Sequence, residues 1–569
     1  MNNIQVQQGL NLESPITTIK INIGENHEEL SKLLDLIGSF HPIFIQEYNI
    51  DGNILTIRSR LTGLWRNASE SLVQLSNNEI SLEKAREYVV ETVIKRRIHS
   101  MSTIPLLQAA HKLGYETTLA LLDKNIVSDF EKGYSSSWNK SYTIGSGRGS
   151  HVINSISCTK DSSFAKNIQR DKWTTNQLFE RLGLPIAKWQ TLDSKSDIKK
   201  IWDQYEKPVV IKPTGLVGGH GVKVGINSIE EAEKAYEYAK EAIEIKIRQP
   251  WQAKVMIQEQ IEGDTNGADY RLLVINGKLR IATKRIPAFI TGNGKSTIQE
   301  LLDETNSDPR RDVYNPAHIL KPIVIDEPLR SFLSEQNLSL DTVPEKDQRI
   351  YVRKISSMSR GGMTEDVTDQ VSKEIKYIVE SVAQSMHAFT IGADIMCKDI
   401  SKPLTKENGG ILEVNTMPES YLNLYPTIGE CREYVAEEYI TELLEDNTTK
   451  QIVCLGNNID DLATILRKKR IIKDSDVTGE YKNGNLIINS LIINKDLPRW
   501  TATEALKVNA SLNNIILHYR DWDEIKTHGL GFDRIDYLYI SKELSSDKDS
   551  LKIIKKYKRK GLINKISII

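Results

Sequence analysis

Two hydrophobic periods alternate along the chain. In Thr18-Ile19-Lys20-Ile21-Asn22-Ile23 every second position is apolar, which predicts a strand with one face buried. In Leu106-Leu107-Gln108-Ala109-Ala110-His111-Lys112-Leu113 the apolar positions recur at helical spacing, and Gly114 suits the C-cap that ends such a helix. Strand-like and helical stretches of this kind alternate from about residue 18 to 150, predicting an N-terminal α/β domain over residues 1–165. The alternation continues over residues 166–446, with a clear amphipathic helix from Glu230 to Ile245. Beyond Asn447-Thr448-Thr449 the composition turns Ile-, Asn- and Lys-rich, with short strands and a basic stretch from Lys552 to Lys560, so residues 447–569 form a third region. Few aromatics interleave with that basic charge, and it reads as a solvated helix face rather than a nucleic-acid surface. The fold class expected is α/β throughout, in several domains.

Composition narrows the function classes. A chain of 569 residues with 39% apolar content exceeds a single core and suggests three or four domains. Lys plus Arg (75) nearly cancels Asp plus Glu (76), so no global field points to nucleic acid or an anionic membrane, and the substrate is expected to be small or of mixed charge. Cys158, Cys397, Cys431 and Cys454 form no Cys-x-x-Cys pair, which argues against a disulfide scaffold and a zinc knuckle. The N-terminus shows no basic-then-apolar signal and no apolar run reaches about 18 residues, so a cytoplasmic protein without membrane spans is expected.

The chemistry concentrates in residues 166–446. In Ile411-Leu412-Glu413-Val414-Asn415, period-two geometry puts Glu413 and Asn415 on one strand face. Asp394, in Gly392-Ala393-Asp394-Ile395-Met396, lies in a similar apolar stretch that can pair beside it. Three hard oxygen donors on neighbouring strands suit Mg²⁺ held against nucleotide phosphates. Val209-Val210-Ile211-Lys212-Pro213 is a strand carrying a lysine, followed by a glycine-rich hairpin with Gly218, Gly219 and Gly221, whose backbone N–H groups can close over phosphates. Taken alone, such a hairpin equally fits a plain turn. Lys172, at the start of a helix, offers a second positive charge, or is an ordinary surface lysine. Glu259, Gln260 and Ile261 follow a strand and would meet adenine through their backbone, with Glu262 or another nearby acid on the ribose. Arg271, Arg285 and Arg353, each on or near a strand, can hold a phosphoryl group or a carboxylate bidentately, though each singly also reads as a surface ion pair.

Two glycine loops are set aside. Gly294-Lys295-Ser296 has the ending of a Walker A loop, but Phe289 stands where that loop requires its first glycine. Ile144 to Ser150 is read as a flexible turn, lacking the strong strand and the following helix of a dinucleotide site.

Order, spacing and sequence together resemble the ATP-grasp fold from about Tyr142 to Glu430, and within it cyanophycin synthetase and its relatives, including the ligase half of bifunctional glutathione synthetases. The resemblance rests on Asp171-Lys172, Ile211-Lys212-Pro213, Tyr270 to Lys278, Arg285-Ile286-Pro287-Ala288, Gly292 to Ile298, Asn306 to Arg311, Gly361-Gly362 and Asp399 to Thr405. It implies ATP and two magnesium ions as cofactors, Lys172 and Lys212 on the ATP phosphates, Arg271, Arg285 and Arg353 on phosphate or acyl phosphate, and Asp394, Glu413 and Asn415 as metal ligands. It implies a lid over about residues 205–262 and an acid–amino-acid ligase passing through an acyl phosphate. It also implies amino acid or peptide substrates and a homodimer or homotetramer. Gly529-Leu530-Gly531-Phe532-Asp533-Arg534 is similar to the Mur-ligase-like half of cyanophycin synthetase, but the Gly-Thr-Asn-Gly-Lys-Thr ATP loop of that half has no counterpart. Residues 447–569 are therefore expected to be a shortened, catalytically dead remnant, as in the short enzymes that join β-aspartyl-arginine dipeptides.

Departures fall where substrate would sit. Ser420-Tyr421-Leu422-Asn423 replaces a Phe-Arg-Met-His-like stretch, Val217-Gly218 replaces an Asn-His pair, and Ser357-Met358-Ser359-Arg360 replaces Asn-Leu-Ser-Thr. A ligase for another small product, such as a γ-glutamyl or acylated dipeptide, is the second expectation, and an inactive ATP-grasp scaffold the third.

Overall fold

The structure, a computed structural model, describes residues 4–94, 101–120, 140–216, 219–247, 253–261, 269–312, 320–456 and 462–569. Its contacts gather the chain into two compact units. One contains Met1–Ser155 and Ala436–Ile569, and the other Ile156–Tyr314 and His318–Val435.

The second unit is built on two antiparallel sheets. The larger runs in the order Met363–Asp366, Lys278–Ile286, Asp269–Ile275, Thr390–Cys397, Gly409–Asn415. Helix Lys373–Ser385 lays Ile375, Ile378, Val379 and Val382 on it, against Leu272, Val274, Ala393 and Ile411. The smaller sheet runs Lys223–Ile226, Val209–Pro213, Val255–Glu259, Trp189–Leu192. Helix Ile229–Lys246 covers it with Ala232, Ala235, Tyr236, Ala239 and Ile243, and starts with a capping box between Ser228 and Glu231. Thr297, the end of the rejected Walker-like loop, makes the same capping box with Glu300 for helix Ile298–Asn306. That loop is helix-capping structure.

In the first unit, Ile4–Gln7, Thr18–Asn22, Ile54–Arg58 and Glu47–Asp51 form an antiparallel sheet in that order. Helix Thr103–Leu113 ends at Gly114 as the sequence predicts. Five parallel strands, Thr478–Lys482, Asn514–Tyr519, Lys450–Leu455, Ile535–Ile540 and Ile563–Ile568, extend at one edge into the antiparallel hairpin Asn485–Ile488 and Leu491–Asn494. The inner strand Asn514–Tyr519 is buried along its whole length, with helices such as Arg499–Val508 packed on the sheet.

The N-terminal segment is built into this C-terminal core. Leu10 is fully buried among Leu506, Leu517 and Phe532, and its N–H donates to the Phe532 carbonyl at 2.8 Å while its own carbonyl accepts from the Leu530 N–H at 2.7 Å. Beneath it lies a buried charge cluster. Lys507 Nζ is 2.9 Å from Glu116 and 3.9 Å from Glu504, Gln8 donates to Glu504, the Asp533 N–H donates to Glu116, and Arg60 pairs with Asp533 at 3.4 Å. Sequence reading divided residues 1–165 from 447–569. The contacts place most of both in one unit, through pairings too distant in sequence for any local pattern to carry.

Candidate active site

Asp171 caps helix Lys172–Arg181, accepting from the Thr174 N–H at 3.1 Å, and this sets Lys172 at the helix start. Lys172 Nζ donates to the Leu216 carbonyl at 2.6 Å and stands 3.9 Å from Glu413, linking the glycine-rich segment to the floor strand. Lys212 lies on strand Val209–Pro213. Burial, then the like charge of Lys172, bring its ammonium down to about 8, with Glu413 pulling the other way. A buried lysine whose charge is disfavoured by a neighbouring ammonium is a site for a polyanion, whose arrival restores its full charge.

The hairpin after Lys212 reaches strand Lys223–Ile226. Gly221 has φ +74, and a Cβ there would stand 2.7 Å from Pro213 Cγ and 2.9 Å from Ala242 Cβ, so only glycine lets this turn close. Gly219 shares the positive φ with open space around it. Gly218 and Glu262, two of the expected nucleotide contacts, lie outside the described residues. In the expected hinge, the Glu259 N–H donates to the Lys188 carbonyl and the Gln260 N–H to the Pro208 carbonyl, while the Ile261 N–H finds no acceptor among the described residues. Gln260 Oε1 accepts from the Gly225 N–H at 2.6 Å, fastening the hinge to the hairpin.

The larger sheet brings the expected arginines and carboxylates into register. Thr283, Arg271, Asp394 and Glu413 are successive partners across four strands. Arg271 binds Asp394 through both Nε and Nη2, the latter at 3.1 Å, and Arg285 Nη2 lies 2.9 Å from Asp394 and 2.8 Å from Asp269. Burial opposes the charge on Asp394, but the two guanidinium groups outweigh it and hold the carboxyl below the ordinary aspartate range. Asp269, less well compensated, is pushed by burial up to about 6. Gly392 makes this crossing possible, because a Cβ there would fall 2.9 Å from Arg271 Cδ and 2.6 Å from Pro418 Cβ. Glu413 keeps 41% of its side chain exposed, and Asn415, two residues on, shares its face.

Asp394 and Glu413 as cross-strand neighbours, with Asn415 on the same face as Glu413, supply hard oxygens of the kind a divalent cation takes, Asp394 being held by both arginines. Among the described residues no group of three or more His, Cys, Asp or Glu side chains is arranged for a metal. Arg353 is placed differently from Arg271 and Arg285. It donates to Asp326 and to the Val324 carbonyl, both at 2.6 Å, and Asp326 also accepts from Arg360 at 3.1 Å.

Three structural partners escaped the sequence reading. Asp269 was legible in principle, since its spacing of two from Arg271 gives both the same face. Asp326 and Gln169 carried no signal: Asp326 meets Arg353 27 residues away, and Gln169 accepts from the Thr416 N–H at 2.8 Å, just past Asn415, across 247 residues.

Residues 170–269 match the family model of the phosphoribosylglycinamide synthetase ATP-grasp (A) domain. That stretch has the ATP-grasp fold. The chain is similar to cyanophycin synthetase of Synechocystis sp., at 36% identity over 287 residues, covering 50% of this chain and 31% of that one. The bifunctional glutathione biosynthesis protein GshAB of Clostridium perfringens is 30% identical over 295 residues, covering 52% of this chain and 36% of that protein. A bifunctional glutathione synthetase structure from Pasteurella multocida overlaps 66% of this chain and 49% of its own at a TM-score of 0.48 and 22% identity. The matched part of this chain thus spans about a third of the curated relatives' own length, 31% and 36% in these two cases. Among the described residues, no helix is long and apolar enough to cross a membrane.

Proposed function

We propose that the chain is an ATP-dependent carboxylate–amine ligase that makes amide bonds between amino acids or short peptides. The observation that carries this reading is the cross-strand row Arg271–Asp394–Glu413, one arginine and two carboxylates, with Arg285 paired to Asp394 and Asn415 two residues beyond Glu413. Lys172 and Lys212 bind the ATP phosphates, and the open Ile261 N–H faces adenine. Asp394, Glu413 and Asn415 would hold magnesium, which supplies neutralisation of phosphate charge when bound. A substrate carboxylate oxygen attacks the γ-phosphorus and ADP leaves. The amine then attacks the acyl carbon, loses its proton, and phosphate departs. Arg271 and Arg285 stabilise charge at the reacting oxygens throughout, acting as preorganised donors. No nucleophilic side chain is required.

The acceptor side favours a substrate pair of its own. Tyr421–Leu424 is a short helix whose Leu422 carbonyl accepts from Thr364 Oγ1 at 2.9 Å, and Thr364 is the cross-strand partner of Arg285. The stretch that departs from cyanophycin synthetase thus packs one strand from the arginine cluster, which supports altered acyl or amine specificity alongside joining of β-aspartyl-arginine. Residues 447–569 are read as a Mur-ligase-like region without its own ATP loop, and the working form as a homo-oligomer. The test is ADP release with Mg²⁺ and ATP across amino acids, dipeptides and β-aspartyl-arginine, with products weighed by mass spectrometry. Release abolished in Asp394→Ala and Glu413→Ala is expected for at least one pair, whereas ATP binding without release for any pair would sink the ligase reading in favour of a scaffold.

A further inference from the structure

Asp394 is fully engaged by arginines. Arg271 occupies both of its oxygens, and Arg285 Nη2 shares Oδ1. A carboxylate in that state has few lone pairs left for a cation, and two guanidinium charges beside it would repel one. Arg285 has somewhere else to go. Its Nη2 sits between two carboxylates at nearly equal distance, 2.8 Å to Asp269 and 2.9 Å to Asp394, and Asp269 is also its direct partner across the strands. Among the described residues the buried Arg285 Nε has no hydrogen-bond partner, so the guanidinium is not locked in its present orientation by a full set of bonds.

We propose that Asp269 is a positioning residue that takes Arg285 from Asp394 when a divalent cation binds. The inference rests on the reading of Asp394 as a metal ligand. Asp269 then balances the Arg285 charge, leaving Asp394 paired with Arg271 alone and able to offer an oxygen towards Glu413 and Asn415. Without Asp269, Arg285 has Asp394 as its sole carboxylate partner among those described at this cluster, and cation and arginine compete for it. The effect is electrostatic and local, so it acts on the cation rather than on the nucleotide.

The experiment measures Mn²⁺ binding to the full chain in the presence of ADP by electron paramagnetic resonance, with ADP binding in EDTA measured separately by calorimetry. Asp269→Asn should raise the Mn²⁺ dissociation constant about tenfold, leave metal-free ADP binding within twofold, and be restored by Asp269→Glu. In an Arg285→Met background, Asp269→Asn should change Mn²⁺ affinity less than twofold, because the charge it manages is gone. Unchanged Mn²⁺ affinity in Asp269→Asn overturns the proposal. So does an equal loss of metal-free ADP binding, which marks a purely structural role, and so does a tenfold effect persisting without Arg285, which marks direct attraction of the cation. Asp394→Asn binding Mn²⁺ like the parent protein would instead remove the metal-ligand reading itself.

Discussion

Each unit buries a charge cluster, and the two clusters are built on opposite plans. In the ATP-grasp unit, Arg271 and Arg285 face Asp269 and Asp394, and the row continues outward to Glu413 with 41% of its side chain exposed. In the other unit, Lys507 and Arg60 face Glu116, Glu504 and Asp533, every one of them at most 15% exposed, with the Gln8 side chain and the Asp533 N–H donating to the two glutamates. The first cluster is balanced and open at one end. The second has an acid in excess and is closed, and burial pushes Glu504 up to about 7. Buried charge with an open end can be redistributed by a ligand, whereas charge whose acceptors are all supplied from within can only fasten chain segments together, here residues near 8, 60, 116 and 507. Burial alone therefore does not mark a functional site.

The contrast breaks most visibly at Lys507. Lys507→Met strands Glu116 and Glu504 and should cost about 3–5 kcal/mol, read as faster hydrogen exchange of the Asn514–Tyr519 strand. The loss should be smaller at pH 5 than at pH 8, because both glutamates are raised by burial and take up protons as pH falls. Lys212→Met, in the open site, should lower ADP release about 10²- to 10³-fold while leaving that exchange unchanged; slowed catalysis from Lys507→Met at full folding would blur the division. Gln8→Leu removes a donor from Glu504 and should cost about 1–3 kcal/mol, seen in the same strand's exchange. The smallest effect is in pH. Lys212 is buried and feels the charges of Lys172 and Glu413, and its charged form is lost as pH rises through about 8, so ATP affinity of the free protein should drop about tenfold by one unit above that value. A flat profile to pH 9.5 would show that Lys212 does not bind phosphate as a cation.

The open cluster was largely legible because its parts sit at short, fixed spacings on strands. Alternation put Glu413 and Asn415 on one face, and the apolar stretch around Asp394 implied a neighbouring strand, which is the antiparallel pair observed. The strand bearing Lys212 and the helix opened by Lys172 followed from the same local rules. What the sequence left unread was who pairs with whom. Nothing local says that Arg285 divides itself between two carboxylates, or that Arg353 is held by Asp326 and Val324. The closed cluster was wholly unread, since Glu116 and Lys507 meet across 391 residues. An isolated buried acid and a lysine on an amphipathic helix look like surface residues until the chain brings them together.

The burial of Leu10 also bears on synthesis. Tyr557 Oη donates to the Asn11 carbonyl at 2.7 Å across 546 residues, so Leu10 has no finished core to enter until residues near 557 have been synthesised. At translation speeds of about 5–20 residues per second, that wait is on the order of half a minute to two minutes. The other unit, Ile156–Tyr314 and His318–Val435, is synthesised well before then and can fold during it. Leu10 must meanwhile stay uncovered, which makes its segment the place where chaperone dependence of the nascent protein should be sought.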